Sequence, residues 1–541
     1  MNLVAPLLSI VAYARSGALD HAWRLFGEAG LNRIDDDPAV LSVRGRLLKD
    51  RALAAPAGPE RRGYYLEAAE AYARAGELGG ATYPLINAAT LARLAGQGDR
   101  ARALAGRVLE RIEQGGGEPD TPYYVAATRA EALLLLDRTA EAKAAFAAAI
   151  ALAPRAWEDH ASTLRQFALI LDEAGEGKDW LDAHRPPRSL HFAGHMAMGS
   201  DETAIGRQIR RVLDEEKIGF GFGALAAGAD ILIAEALLER GAELHLILPG
   251  GRQAFREASV SSFNGRWAGR FEAAADRADT IRSVGPSDEP VAPIGVLLGA
   301  EVAMGQAVMQ AQTLASEAVQ LLILDETRSA QVQDGASGWI RTLWQASGRR
   351  QHVLAAPRAR PRPARDVALT VDPQTSCLAA SLVLDLSSAE GGEPASAGRL
   401  VDAIFPALSQ ALTGTPAPMV APRWTPDSVS LAYPRVGDAA RAALALADAL
   451  RSVADLRVAG GYGIAHPAID PFDRTPILLG RMARTLAEVM ASIPPGAIHV
   501  TEDFAAALFA GPADGRPRAE YVGDLATSDP EQPIRLFSLK R

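Results

Sequence analysis

Three clusters of small residues stand where a phosphate or a ribose could reach the main chain: Gly194-His195, Gly221–Asp230 and Pro249-Gly250-Gly251. Each closes a short apolar run, Ser189–Gly194, Ile218–Phe222 or Glu243–Leu248. In an open parallel sheet, ligands sit at the carboxyl ends of strands, where helix N-termini present N–H groups. Glycine there lets a ligand approach the backbone, though steric demands at strand–helix turns select glycine as well. The phosphate-binding pattern G-x-x-x-x-G-K-[ST] is absent, which excludes a P-loop NTPase.

The elements around these clusters alternate. Helices read at Glu202–Asp214, Ile231–Arg240, Leu298–Glu317 and Trp339–Ala346, and further strands at Val319–Asp325 and His352–Ala355. Alternation with short connections predicts a parallel sheet with helices on both faces, a Rossmann-like α/β fold, over 181–356. Residues 1–180 are rich in Ala, Leu, Glu and Arg, with apolar residues three and four apart. Ala142, Phe146, Ala149 and Pro154 follow the second helix of a tetratricopeptide unit; Ala68, Tyr72 and Ala75, and Ala22, Phe26 and Ala29, repeat its first part. An all-α helical repeat is expected there, with a plain helical bundle as the alternative. A solenoid offers a concave surface to a protein partner and carries no chemistry of its own. Pro357–Arg365 is a proline/arginine run, so 357–375 reads as a linker. Beyond it, strands and helices mix over 376–541, as in an α+β domain with helices on one face of a sheet.

Composition sets the outer limits. The chain has 541 residues, enough for three or four domains, and a formal charge of -9. That balance gives no global attraction to DNA or to anionic lipid. One cysteine, Cys377, excludes an internal disulfide framework. The N-terminus lacks a basic region before its apolar stretch, and no run of about 18 uncharged apolar residues occurs, so a cytoplasmic protein without a membrane span is expected.

Two segments resemble known families. GALAAGADILIAEALLERGAELHLILP, with FREASV and RWAGRF after it and WLDAHRPPRSLHFAGHM before it, is similar to the LOG/DprA-like (SLOG) Rossmannoid domains of bacterial signalling proteins. That resemblance implies a nucleotide or nucleotide-derived ligand held near Gly194, His195, Gly223, Gly228, Asp230 and Glu235. Asp230 either caps the helix it opens or meets the ligand. Glu235 either bonds a sugar or faces solvent, and His195 is either a satisfied loop residue or part of the site.

The C-terminal segment resembles class III adenylate/guanylate cyclases, with their ferredoxin-like fold. LVLDLSS, RWTPDSVSLAY, LRVAGGYGIAHPAI and IPPGAIHVTEDFAAALFA carry the similarity. The resemblance implies Mg²⁺ (or Mn²⁺) on Asp385 and Asp427, since that ion prefers carboxylate oxygens, and a homodimer, because such sites form between two domains. It also exposes departures. Pro426 replaces a family glycine, and Leu386-Ser387-Ser388-Ala389-Glu390 lacks the usual G-F-[ST]. Counted without gaps from Gly480 to Gly496, the register puts Arg484 where the family has Asn and Glu488 where it has its transition-state Arg. A carboxylate facing a polyphosphate repels it, where ring closure needs a cation. A shifted register instead makes Arg484 the catalytic arginine and Asp473 a base-reading residue. Expected, then, is a signalling protein with a nucleotide-sensing domain, a partner-binding helical region and a degenerate cyclase-like domain; the alternative is an active cyclase making a cyclic nucleotide from ATP or GTP.

Overall fold

The fold is taken from a computed structural model. It describes residues 4–541 apart from 116–120, 197, 200, 264, 287–288, 326–335, 359–374, 387–397, 399, 426, 452–455 and 528–532. The chain divides into two compact units, Met1–Pro186 (with Thr313–Ala315) and the remainder of Pro187–Arg541.

The first unit is built from helices. They are α1 Val4–Arg15, α2 Leu19–Glu28, α3 Pro38–Ala54, α4 Pro59–Gly79, α5 Thr82–Leu94, α6 Gly98–Glu113, α7 Pro122–Leu135, α8 Thr139–Leu152 and α9 Trp157–Ala174. Prolines open α3, α4 and α7, where the missing N–H costs nothing, and Asp37 caps α3 by accepting from Ala39 and Val40 N–H. The repeat positions face inward: Ala22, Phe26, Ala68, Tyr72, Ala75, Ala142, Phe146 and Ala149 are buried, whereas Ala29 lies exposed past the end of α2. Small residues set the helix spacing. A Cβ on Gly45 would stand 2.7 Å from the Tyr72 ring, and one on Gly76 would stand 2.7 Å from Leu85. Phe146 packs on Phe167 with ring centroids 5.0 Å apart.

The second unit holds two sheets. The first is parallel, with strand order β4-β3-β2-β1-β5-β6. Its strands are β1 Arg188–Gly194, β2 Ile218–Gly223, β3 Glu243–Pro249, β4 Thr280–Val284, β5 Ala318–Leu324 and β6 Gln351–Ala355. Its helices are α10 Glu202–Glu215, α11 Ala229–Glu239, α12 Arg252–Arg256, α13 Gly265–Ala275, α14 Pro293–Thr313 and α15 Ala336–Ala346. Strand order reverses between β1 and β5, which opens a crevice at their carboxyl ends. Strands buried on both faces read as continuous apolar runs, and β5, AVQLLIL, is the clearest case. Strand β4 and helices α12 and α13 are additional to the sequence-based reading.

The second sheet is mixed, with order β13-β14-β12-β10-β7-β9-β8 and β11 paired to β10. Its elements are β7 Cys377–Asp385, α16 Phe405–Thr413, β8 Arg423–Trp424, β9 Ser428–Tyr433, α17 Val436–Leu450, β10 Arg457–Ile469, β11 Pro476–Leu479, α18 Met482–Met490, β12 Ile498–Thr501, α19 Glu502–Ala510, β13 Arg518–Leu525 and β14 Ile534–Lys540. Helices occupy both faces, not one. Successive residues of a strand point to opposite sides. Gly460 faces Val500 of β12 and Phe504 of α19 on one side, and Gly461 makes room for Met482 of α18 on the other. The expected helix Leu478–Ser492 is shortened, because Leu478 and Leu479 pair with β10 and Gly480 lies against the Ile464 carbonyl, where a Cβ would be at 2.9 Å.

The two sheets share a core. Met304 and Val308 of α14, Leu322 and Leu324 of β5, Trp344 of α15, and Phe509 and Ala510 of α19 form one apolar cluster. Helices α14 and α19 cross at Gly305, where a Cβ would stand 1.8 Å from the Ala506 carbonyl oxygen. Polar contacts surround the crossing. Tyr462 Oη donates to Glu301 at 2.7 Å, Gln306 to Glu502 at 3.1 Å, and Arg282 to Asp503 at 2.6 Å. At the other end of α19, Arg349 donates to the Phe509 carbonyl at 3.0 Å, satisfying a helix-end acceptor. Helix α14 has the length and apolar composition of a membrane span, but 61% of that apolar window is buried inside the protein.

Candidate functional site

The crevice between β1 and β5 gathers part of the first expected set. Gly194 ends β1 so close to α11 that a Cβ would stand 2.3 Å from the Ala229 Cβ, and one on Gly223 would stand 2.6 Å from the Phe192 carbonyl. Gly228 holds φ 109, a backbone conformation that favours glycine, and serves as the N-cap of α11. Asp230 therefore does not cap the helix from the N-cap position. Its Oδ2 accepts from Ala226 N–H at 3.1 Å, inside the loop before the helix, while Oδ1 is buried without a hydrogen-bond partner. Burial pushes the Asp230 carboxyl up to about 7, against the opposing influence of the Ala226 and Gly194 amides.

His195 is 2% exposed. Its Nδ1 lies 3.0 Å from the Met196 carbonyl and its Nε2 2.8 Å from the Ala356 carbonyl. Burial holds its pKa below the usual histidine value. A neutral ring has one N–H for these two acceptors. Glu235 is held in a two-point ion pair with Arg270 (Nε–Oε1 2.7 Å, Nη2–Oε2 2.5 Å), which also bonds Glu202 at the start of α10. Arg270 in turn lies over the Trp267 ring.

In the mixed sheet, strand register brings the two aspartates together. Asp385 ends β7 opposite Ser428, and Asp427 immediately precedes that residue. Leu386 N–H donates to the Asp427 carbonyl at 2.8 Å. The carboxylates differ in surroundings. Asp385 is buried and ion-paired with Arg457, its cross-strand partner on β10. Asp427 is exposed and accepts from Thr425 Oγ1 at 2.9 Å. No group of three or more His, Cys, Asp or Glu suited to a metal occurs among the described residues. One carboxylate is thus paired with a guanidinium and the other lies at the surface. Ser387-Ser388-Ala389-Glu390 and Pro426 lie outside the described residues.

Arg484 projects from α18 with its side chain 86% exposed and pairs with Glu488, Nε to Oε1 3.4 Å. Leu486 and Val489 form the buried side of the helix. Asp473 sits in the turn between β10 and β11 and accepts from Thr475 N–H and Oγ1 at 2.9 and 2.6 Å; those bonds lower its pKa. Arg457 had no sequence signal, because only strand register reveals that it faces Asp385.

The family described as Tetratricopeptide Repeats-Sensor matches residues 7–92. Among solved structures, the adenylyl cyclase CyaB from P. aeruginosa is similar at 12% identity over 31% of this chain and 95% of that one, with a TM-score of 0.26. The guanylyl cyclase Cya2 is similar at 16% identity over 30% of this chain and 92% of that one, TM-score 0.25. An adenylate cyclase from Trypanosoma brucei, in its monomeric state, is similar at 14% identity over 31% and 89%, TM-score 0.25. No curated protein matches the chain.

Proposed function

We propose that the chain is a cytoplasmic signalling protein whose parallel-sheet lobe is a SLOG-like Rossmannoid nucleotide sensor. The helical repeats hold a protein partner, and the C-terminal lobe is a class III cyclase homology domain that does not close the ring. The observation that carries the last point is the Asp385–Arg457 ion pair. A guanidinium already neutralises the carboxylate that a metal would need, and Arg484 is turned to solvent against Glu488. Ring closure builds negative charge on phosphoryl oxygens and needs a fixed cation there. An apolar groove lined by Phe405, Leu408, Leu412 and Trp424 supports a dimerising role, as does Phe472, 95% exposed on the β10–β11 turn. A second copy of this lobe is the occupant proposed for that surface.

The test is incubation with ATP or GTP and Mg²⁺ or Mn²⁺. No cyclic product above background is expected, and Asp385→Ala should change nothing. Sustained turnover that Asp385→Ala abolishes would overturn the reading. It would instead favour an active dimeric cyclase using Asp385 and Asp427, Arg484 as its cation and Asp473 as base reader. The register that sets Asp427 beside Asp385 is the observation on that side.

In the sensor lobe, Asp230 is the proposed acceptor of ribose hydroxyls, with Gly194, His195, Gly223 and Gly228 shaping the approach. Glu235 supports α11 through Arg270.

A further inference from the structure

The crevice of the parallel sheet is crossed by the chain that leaves β6. Ala356 N–H donates to the Leu324 carbonyl at 2.9 Å, and Gly199 N–H to the Pro357 carbonyl at 3.1 Å. Arg358 N–H donates to Asp325 Oδ2 at 3.2 Å, and Met198 and Arg358 form an antiparallel bridge. His195 Nε2 faces the Ala356 carbonyl from below. The β1–α10 loop is tied on its other side to Gly228, through the Met196–Gly228 bridge. His195, Met196, Met198 and Gly199 thus lie together with Ala356–Arg358 at the carboxyl ends of β1 and β5. Arg358 is also the second residue of the proline/arginine segment that leads to the mixed sheet.

We infer that Ala356–Arg358 is a strap over the ligand crevice, and that a nucleotide entering the crevice releases it. This rests on the nucleotide reading of the lobe. The main chain of the strap is held by separate hydrogen bonds, among them one to the Asp325 carboxylate and one to the His195 ring, and by a two-residue bridge, not by a ladder. Each such bond contributes about 1 kcal/mol net, so a ligand of ordinary affinity can displace it. A crevice that must open first binds its ligand more weakly by the fraction of time it is open.

Trypsin reads the strap. It cuts after Arg358 and Arg365, while Arg360 and Arg362 precede proline and resist. Cleavage after Arg365 is the internal control. ATP, GTP and ADP-ribose are the probes, with binding followed by calorimetry on the full chain. The bound nucleotide should raise cleavage after Arg358 by about tenfold relative to Arg365, and should erase hydrogen-exchange protection of the Gly199 amide. Asp325→Ala should raise that cleavage without ligand and tighten nucleotide binding by a similar factor. His195→Ala should likewise raise cleavage after Arg358 without ligand, which keeps the cleavage test open if Asp325→Ala fails to fold. A nucleotide that binds while cleavage and Gly199 exchange stay unchanged overturns the strap and leaves the sensor reading standing. No binding of any probe to wild type or to Asp325→Ala sinks the sensor reading, and the strap falls with it.

Discussion

Asp230 carries a cost that pH can reveal. Its folded pKa, about 7, lies above the ordinary value of 3.8. Between those values the folded carboxyl keeps its proton and the unfolded one loses it. Stability is therefore full below about pH 4 and declines until about pH 7, by on the order of 4 kcal/mol for a shift of about three units. Asp230→Asn removes that decline and should raise the melting temperature at pH 8 while leaving it nearly unchanged at pH 4. Glu301, also raised to about 7 by burial, adds a second decline over a similar window, so the variant should flatten the profile only in part. Thermal melts across pH 4–8 check this. The Asp385–Arg457 pair is testable by a double-mutant cycle. Removing either partner leaves a mostly buried charge and should cost on the order of 3 kcal/mol, and removing both should cost clearly less than the sum.

Among the elements, close glycine contacts set the most sensitive points. Gly305→Ala puts a Cβ onto the Ala506 backbone, which cannot swing aside as a side chain would. It should destabilise the second unit by at least about 3 kcal/mol in urea unfolding. Gly461→Ala meets the Met482 and Leu486 side chains, not backbone, and should cost less. Much of the alternation was legible from the sequence, because buried parallel strands and amphipathic helices differ in period: β1, β2, β3 and β5 and helices α10 and α11 lie where apolar runs and small-residue turns put them. Strand β4, TIRSV, was not legible, since an edge strand with an arginine and a serine has no apolar run. The hairpin partner β11 was hidden for another reason: Pro476–Leu479 continues smoothly into the apolar pattern of α18. At the site, residue identities were readable but partners were not. Glu235 with Arg270, and Asp385 with Arg457, are 35 and 72 positions apart, and only the folded register joins them.

On the scale of the whole molecule, the two compact units should unfold separately. Phe146→Ala opens a cavity among Phe167 and its neighbours and should cost the first unit about 3–5 kcal/mol. Differential scanning calorimetry should show one transition lowered and the other unmoved. Within the second unit, the opposite behaviour is expected. A fragment of residues 376–541 would bare Phe509 and Ala510 and leave Glu502 and Asp503 without Arg282. It should aggregate on expression, whereas 187–541 should remain monodisperse in size-exclusion chromatography. The crossing of α14 and α19 at Gly305 has a bearing on ancestry too. Recombination that traded the terminal lobe for an unrelated one would inherit a bare notch on α14 with nothing shaped to fill it. The pair of lobes should therefore travel through evolution as a single cassette, with exchange confined to the helical segment ahead of it.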